Sequence, residues 1–326
     1  MVVLFPGHGL YQGSKMRSKT KIDVVYGYEI YGVPVAKILS KLWGVPMVAR
    51  FQGSILRLVW MKRPYWQVRA WEYVLAYKVS SGSNLVIMTN DGSQGDQLLA
   101  QMGVNAKKVR FWLNGLDIES FQRFPVIEKA RESLQISCRH VLLSVSRLMW
   151  LKRVDRNIYA LPEVVKDYPD TILVIVGDGP EKKRLKQLAD ELGVREHVRF
   201  EGAVPHSEIP KYLAAADLFL SFYDWSNVGN PLLEAMMARK CIVTLNNGDT
   251  GRFIRNRENG VLLEYGELTK LPEVIKELLA DEELRDRLGA NARKFAEENF
   301  WSWEERIETE IHEVGALLEG ESNRER

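Results

Sequence analysis

Short apolar runs alternate with amphipathic stretches along most of this 326-residue chain. In the second half the runs are HVLLSVS (140–146), TILVIVG (171–177), VRFEG (198–202), LFLSFY (218–223), CIVTL (241–245) and GVLLE (260–264). Continuous apolar runs of this length suit strands buried on both faces of a helix-covered parallel sheet. Between them lie helical patterns such as 181–193, where Leu185, Leu188, Ala189 and Leu192 form one stripe and Gly193 supplies the stop. The first half alternates less completely. Strands are predicted at 1–7, 23–28, 46–51, 85–90 and 108–114, and helices at 32–43, roughly 64–79, and 93–103. The pattern predicts a doubly wound α/β domain in the second half and a second α/β unit of about 120 residues in the first, with a linker near 121–138 and a helical tail at 301–320. There is no solenoid-period repeat and no low-complexity tract.

Composition narrows the class. Apolar residues make up 46% and charged residues 27%, which excludes disordered, collagen-like and disulfide-stapled chains. No run of about eighteen uncharged apolar residues occurs, so no span of a bilayer is predicted. The opening MVVLFPGHGLYQ is interrupted too early, by Pro6 and Gly7, for a signal peptide. Cys138 and Cys241 form no metal-ligand spacing and read as buried thiols in a reducing compartment. The formal charge of +2 conceals a division: residues 1–137 carry a net +9 and residues 138–326 a net −7. The basic half should face something anionic.

In an open α/β sheet, ligands sit beyond the carboxyl ends of the strands, so the strand-to-helix turns hold the candidate chemistry. Arg147 and Lys152 follow the first strand of the second half, where two cations can clamp a diphosphate or can simply be solvated. Gly177 and Gly179, ahead of Pro180, serve turn geometry rather than phosphate binding. Asn227, Gly229 and Asn230 make a polar loop, and Pro231 then opens a helix carrying Glu234. Unpaired N–H groups at such a helix start can hold a phosphate, and a carboxylate one turn in can accept from ribose hydroxyls. An acidic residue in a first helical turn is also common for its own sake. The stretch 245–264, dense in Gly and Asn, reads equally as a lid or an ordinary loop.

Order and spacing together resemble a known family. SRLMWLK (an R-x4-K element), IVGDGPEKKRL, VRFEGAVPHSEIPKYLAAADLFLS and NPLLEAMMARKCIVT resemble the retaining glycosyltransferases of the two-Rossmann-domain (GT-B) type, the glycosyl transferases group 1 family. VRFWLNGLDIESF resembles the family's hinge strand, and Trp303 the aromatic that starts a helix crossing back to the first domain. The resemblance covers about residues 20–315. It implies two Rossmann-like domains facing a cleft: an acceptor-side domain at 1–122, shortened at its start, and a nucleotide-sugar domain at 123–300. The helix at 301–320 returns to the first domain. The implied reaction moves a sugar from a UDP- or GDP-sugar to a lipid-linked or glycan acceptor with retention.

The resemblance also implies roles. Arg147 and Lys152 neutralise the diphosphate, and Glu234 binds the ribose. Glu201, Gly202, Ala203 and Val204 line the base pocket. Ser226, Asn227, Val228, Gly229, Asn230, Pro231 and Leu232 surround the distal phosphate and sugar. Gln52, Gly53 and Asn114 lie on the acceptor side. No cofactor is expected, the nucleotide sugar being a substrate, and the lack of a D-x-D goes with a metal-independent reaction.

Three features depart from the family. Ser226 stands eight before Glu234, where an E-x7-E pattern has a sugar-facing carboxylate. Gln52 replaces a His, keeping hydrogen bonding without proton transfer. Only 22 residues precede the DVVYGY strand, so the first sheet should expose an edge. Three readings of that edge stand open: a start downstream of the natural one, a patch formed by residues 1–22, or a partner or second copy covering it. A further alternative is a non-catalytic nucleotide-sugar-binding subunit. Residues 54–79 carry five basic side chains, one acid and six Trp or Tyr. They read either as a peripheral contact with the inner face of a membrane, in a cytoplasmic protein, or as aromatics packed beneath the domain. Nucleic acid is not expected, since no binding motif occurs.

Overall fold

A computed structural model of the protein describes residues 4–54, 71–122 and 124–322. The chain forms two compact units, Met1–Gly115 with Trp303–Arg326, and Leu116–Ser302.

The first unit is built on a parallel sheet of β1 (Val25–Tyr28), β2 (Met47–Phe51), β3 (Leu85–Thr89) and β4 (Val109–Trp112), in that spatial order. Helices α1 (Leu4–Arg17), α2 (Glu29–Trp43), α3 (Trp71–Ser80) and α4 (Gly95–Gln101) accompany it. Period-two alternation sorts β2 between two layers. Met47, Ala49 and Phe51 join Val33, Ala36, Tyr77 and Leu98 in the main core. Val48 joins Leu85 and Ile87 on the other face, beneath Val314 and Leu317 of the C-terminal helix Trp303–Ser322. Tyr26 pairs with Val48 and Tyr28 with Arg50, so both tyrosines point to that second face. Gly27 points the other way, where a Cβ would lie 2.7 Å from Ala36 Cβ and 2.9 Å from Val33 Cα. Only glycine lets α2 come this close to β1.

One expectation changes here, and a second is met over the part that is described. Over its described part, the strand expected at 1–7 is the start of helix α1, which packs on α2. A brief apolar run does not distinguish strand from helix, and Leu10 finds burial against the α2 side of the core rather than at a sheet edge. Residues 4–17 therefore add no strand to the sheet, and among the described residues no strand pairs with the outer side of β1. The helix expected at about 64–79 is described only as Trp71–Ser80, the rest lying outside the described residues.

The second unit is a six-stranded parallel sheet: β5 (His140–Val145), β6 (Thr171–Val176), β7 (Val198–Gly202), β8 (Leu218–Ser221), β9 (Cys241–Leu245) and β10 (Val261–Leu263). The spatial order is β10-β9-β8-β5-β6-β7. Its helices include α5 (Ile127–Ser133), α6 (Asp155–Asp167), α7 (Lys182–Glu191), α8 (Ile209–Ala215), α9 (Asn230–Met237), α10 (Leu271–Ala280) and α11 (Glu282–Asn299). On α7, Leu185, Leu188 and Ala189 are buried as the stripe predicts. Helix α5 falls inside the stretch read as a linker. Ala130 is buried there, and Arg131 is fixed to the Ala215 carbonyl (2.9 Å) and the Asp217 carboxylate (2.8 Å), which makes the segment part of the unit. Leu116 joins this unit through its N–H to the Trp301 carbonyl at 3.0 Å. Cys241 is buried, whereas Cys138 is only half-buried, against the expectation of two buried thiols.

Candidate functional site

Strands β5, β6 and β7 run outward in one direction from the middle of the second sheet, and β8, β9 and β10 in the other. The order reverses between β5 and β8, and a crevice opens beyond the carboxyl ends of a parallel sheet at such a switch point. The two turns there are those carrying Arg147–Lys152 and Ser226–Leu232.

The protein ties these turns together. The Asp224 N–H donates to the Leu151 carbonyl at 3.0 Å, and Trp150 packs edge-on against Trp225 with centroids 5.6 Å apart. The Lys152 ammonium lies 3.8 Å above the ring of Tyr223. That ring is buried, its hydroxyl donates to the Val145 carbonyl at 3.1 Å, and burial pushes its pKa up to about 12. Arg147 is exposed, and its guanidinium has no hydrogen bond or ion pair among the described residues. Glycine geometry sets this turn. At Gly177 (φ +136°) a Cβ would sit 1.9 Å from the Ser146 carbonyl oxygen, so the β6 turn lies directly against the residues flanking Arg147. The Leu148 N–H donates to the Asp178 carbonyl at 2.9 Å and completes the contact.

The loop after β8 hangs on Asn227, which is 1% exposed. Its Oδ1 accepts from Ser221 Oγ and the Tyr223 N–H, both at 2.9 Å. Its Nδ2 donates to the Leu245 carbonyl (3.1 Å) and Asn247 Oδ1 (2.9 Å). Its own N–H reaches Thr250 Oγ1 at 3.3 Å, and the Val228 N–H donates to Ser226 Oγ at 3.0 Å. The Leu232 N–H donates to the Gly229 carbonyl, and Pro231 has no N–H to give. The backbone N–H groups of Asn227, Val228 and Leu232 are thus used within the protein, and Asn247 and Thr250 tie the 245–264 loop to this stretch.

Glu234, buried on α9, contacts His206 Nε2 through Oε1 at 2.8 Å, joining α9 to the turn after β7. Glu201 is paired with Arg199 and accepts from the Tyr212 hydroxyl at 3.0 Å. Gly202 accepts from the Gly177 N–H at 2.7 Å, and Ala203 and Val204 follow it. Sequence reading missed His206, Tyr223 and the cluster of Arg153, Arg156, Asp155 and Asp224. Arg153 donates to Asp155 (3.1 Å) and Asp224 (3.3 Å), and Arg156 to Asp224 (2.7 Å). Nothing local in the sequence links His206 to a glutamate 28 residues on, and Tyr223 closes an apolar run like any core residue.

Gln52, Gly53 and Asn114 belong to the first unit. Gln52 donates to the Tyr28 hydroxyl (2.5 Å) and accepts from Thr89 Oγ1 (3.1 Å). A Cβ on Gly53 would fall 2.1 Å from Asp91 Oδ2, so the carboxylate occupies the space of a side chain. Of the aromatic stretch 54–79, residues 55–70 lie outside the described residues; Tyr77 is buried, 4.7 Å from the Phe51 ring. No described helix is long and apolar enough to cross a membrane, and no metal-binding group of side chains occurs among the described residues.

The parallel sheet, its switch point and the motifs gathered there define a member of the family Glycosyl transferases group 1, whose signature matches residues 126–295; the chain belongs to this family. Its fold is shared with the Anabaena protein Alr3699/HepE, crystallised with UDP and with UDP-glucose. With UDP the TM-score is 0.79 at 23% identity, over 93% of this chain and 81% of that one. WaaG, a glycosyltransferase involved in lipopolysaccharide biosynthesis, aligns with a TM-score of 0.68 at 22% identity, over 82% of this chain and 77% of that one. In sequence, the GDP-mannose-dependent α-(1-6)-phosphatidylinositol monomannoside mannosyltransferase of Mycolicibacterium smegmatis is 31% identical over 200 residues, 59% of this chain and 52% of the relative. The chain spans about half the length of the curated relatives it matches.

Proposed function

We propose that the chain transfers a sugar from a nucleotide-diphospho-sugar to a lipid-linked or glycan acceptor with retention of configuration, and that the switch-point crevice of the second unit holds the donor. The observation that carries this reading is the exposed Arg147 and the ring-supported Lys152 on a turn fixed from both sides, by the β6 glycine turn and by the loop after β8. Preorganised cations of this kind stabilise the negative charge that develops on a departing diphosphate. Glu234 meets the ribose, 201–204 the base, and the departing phosphate itself takes the acceptor proton. The mannosyltransferase and the UDP-glucose complex among the similar proteins support a UDP- or GDP-linked donor. The reading includes no divalent cation, so chelation leaves turnover unchanged.

Calorimetric titration with UDP-, GDP- and ADP-sugars tests it, using Arg147→Ala and Lys152→Ala. Each cation makes charge-assisted bonds worth about 1.5–3 kcal/mol, so each variant should bind roughly 10- to 150-fold more weakly. Equal, negligible binding by wild type and variants sinks the assignment. A second reading, a donor-binding subunit completed by a partner, is favoured by one observation: no described strand covers the outer side of β1. Tight donor binding without turnover on any acceptor decides for it.

A further inference from the structure

A groove of about 470 Å³ runs between β1 and the C-terminal helix, wholly within the first unit. That volume lies within the roughly 300–1,000 Å³ usual for small-molecule sites. Tyr26 and Tyr28 face it from β1, and Trp303, Ile307 and Ile311 from the helix; all five are more than a third exposed. The helix covers the same sheet face over β2 and β3 but leaves it open over β1.

The charged residues lining this apolar trough are Arg50, Arg306 and Glu310. Arg50 is 7% and Arg306 3% exposed. One carboxylate serves both: Glu310 accepts from Arg306 Nη1 at 2.8 Å, lies 3.5 Å from Arg50 Nε, and also accepts from the Tyr26 hydroxyl. Arg306 stacks 4.6 Å over Trp112 and donates through Nε to the Leu113 carbonyl, but its buried Nη2 has no acceptor among the described residues. Burial, and then Glu310, raise the Tyr26 pKa, so the phenol adds no negative charge. Burial also lowers the Arg306 pKa despite Glu310. The next carboxylate, Glu29, is engaged by the Gln52 N–H at 2.6 Å and does not line the groove. Two buried cations against one anion leave the lining net positive, and an under-compensated buried charge is costly until an anion meets it.

We propose that this groove binds an amphipathic anion, its apolar chain or ring along Tyr26, Tyr28, Ile307 and Ile311 and its single phosphate or carboxylate set against Arg50 and Arg306. An inorganic anion would leave the apolar walls in water, and a neutral apolar ligand would leave the excess charge unmet. The inference is independent of the donor site, which lies in the other unit.

The test titrates the full chain with decyl phosphate and with decanoate, below their aggregation concentrations, reading the heat of binding. Inorganic phosphate and decyl maltoside are the controls. Ile307→Asp and Ile311→Asp change exposed side chains, so the fold persists, which circular dichroism verifies. The expected result is one-site binding of decyl phosphate or decanoate, at least roughly tenfold tighter than either control and weakened by salt. Either variant should lose roughly tenfold in affinity, because a charge replaces apolar contact. Comparing the two probes separates a phosphate from a carboxylate head. Binding of decyl maltoside as tight as decyl phosphate, or no binding of either anion, overturns the proposal. So does self-association in sedimentation that Ile311→Asp abolishes, which would make a second copy the occupant. A parallel nucleotide-sugar titration reads the donor site separately.

Discussion

Asn227→Ala should be among the most damaging single changes in the second unit, although Asn227 touches no ligand in the proposed reaction through its side chain. The amide makes four hydrogen bonds between 2.9 and 3.1 Å, to Ser221, Tyr223, Leu245 and Asn247, at a site that is 1% exposed. Alanine abolishes all four. The Ser221 hydroxyl can rotate towards another acceptor, and Asn247 keeps its bond from Nδ2 to the Tyr223 carbonyl. The Tyr223 N–H and the Leu245 carbonyl cannot reorient. Each of these two stranded buried groups costs about 1–3 kcal/mol and each of the other two lost bonds about 1, which gives a total of roughly 4–8 kcal/mol. For a unit of this size, about 2–4 °C per kcal/mol turns that into a fall of at least roughly 8 °C in melting temperature. Because Tyr223 lies beneath Lys152, affinity for a nucleotide sugar should fall as well, even at temperatures where the variant is folded. Differential scanning calorimetry with urea titration measures the first effect and isothermal calorimetry the second. A melting temperature within about 2 °C of wild type would refute the accounting, since it would mean the four bonds are replaced at no cost.

Other expectations follow from the same contacts. Gly177→Ala places a Cβ 1.9 Å from a backbone oxygen at φ +136°, so it should cost more than the roughly 1–3 kcal/mol of backbone strain alone and shift the Arg147 turn; urea denaturation and donor titration check both. Burial pushes the Cys241 thiol up to about 12 and, less far, raises that of Cys138. At pH 8, iodoacetamide should therefore modify half-buried Cys138 first and Cys241 only in denaturant, as counted by mass spectrometry. Above the ordinary thiol pKa, near 8.5, the unfolded chain has released the Cys241 proton and the folded one has not. Cys241 should then contribute a fall of up to about 1.4 kcal/mol per pH unit until about pH 12, and Cys241→Ala should make the measured slope shallower by that amount, most visibly below pH 10, where the raised tyrosines do not yet contribute. Glu313→Ala, breaking a half-exposed 2.8 Å pair with Arg110, should cost under about 1 kcal/mol. Glu310→Ala strands two buried guanidiniums and should cost about 3–5; equal values for the two in urea titrations would contradict the burial argument.

Much of the second unit was legible in the sequence. Most of its strands are continuous apolar runs rich in Val, Ile and Leu, and that local signal survives because a doubly covered sheet imposes it at every position. The same reasoning failed at residues 4–7, where a brief apolar run carries no period, and at 127–133, where one buried alanine and an arginine bridge make a helix of an apparent linker. Site residues divided in the same way. Arg147, Lys152 and Glu234 stand at recognisable distances from strand ends and helix starts, so spacing alone nominates them. What surrounds them depends on strand order. Only the reversal between β5 and β8 brings Tyr223 under Lys152 and Asp224 against Arg153, and only the pairing of β7 with β6 brings the His206 turn towards Glu234.

The sequence by itself thus determined the α/β alternation, the family and the candidate cations, because periodicity, turn residues and motif spacing are properties of neighbouring positions. The tertiary structure alone decided that Asn227 is a buried keystone rather than an open donor. It alone placed Arg50 and Arg306 together on one carboxylate beneath an apolar groove. Those relations join residues up to 260 positions apart, and a chain fixes them only when whole layers pack.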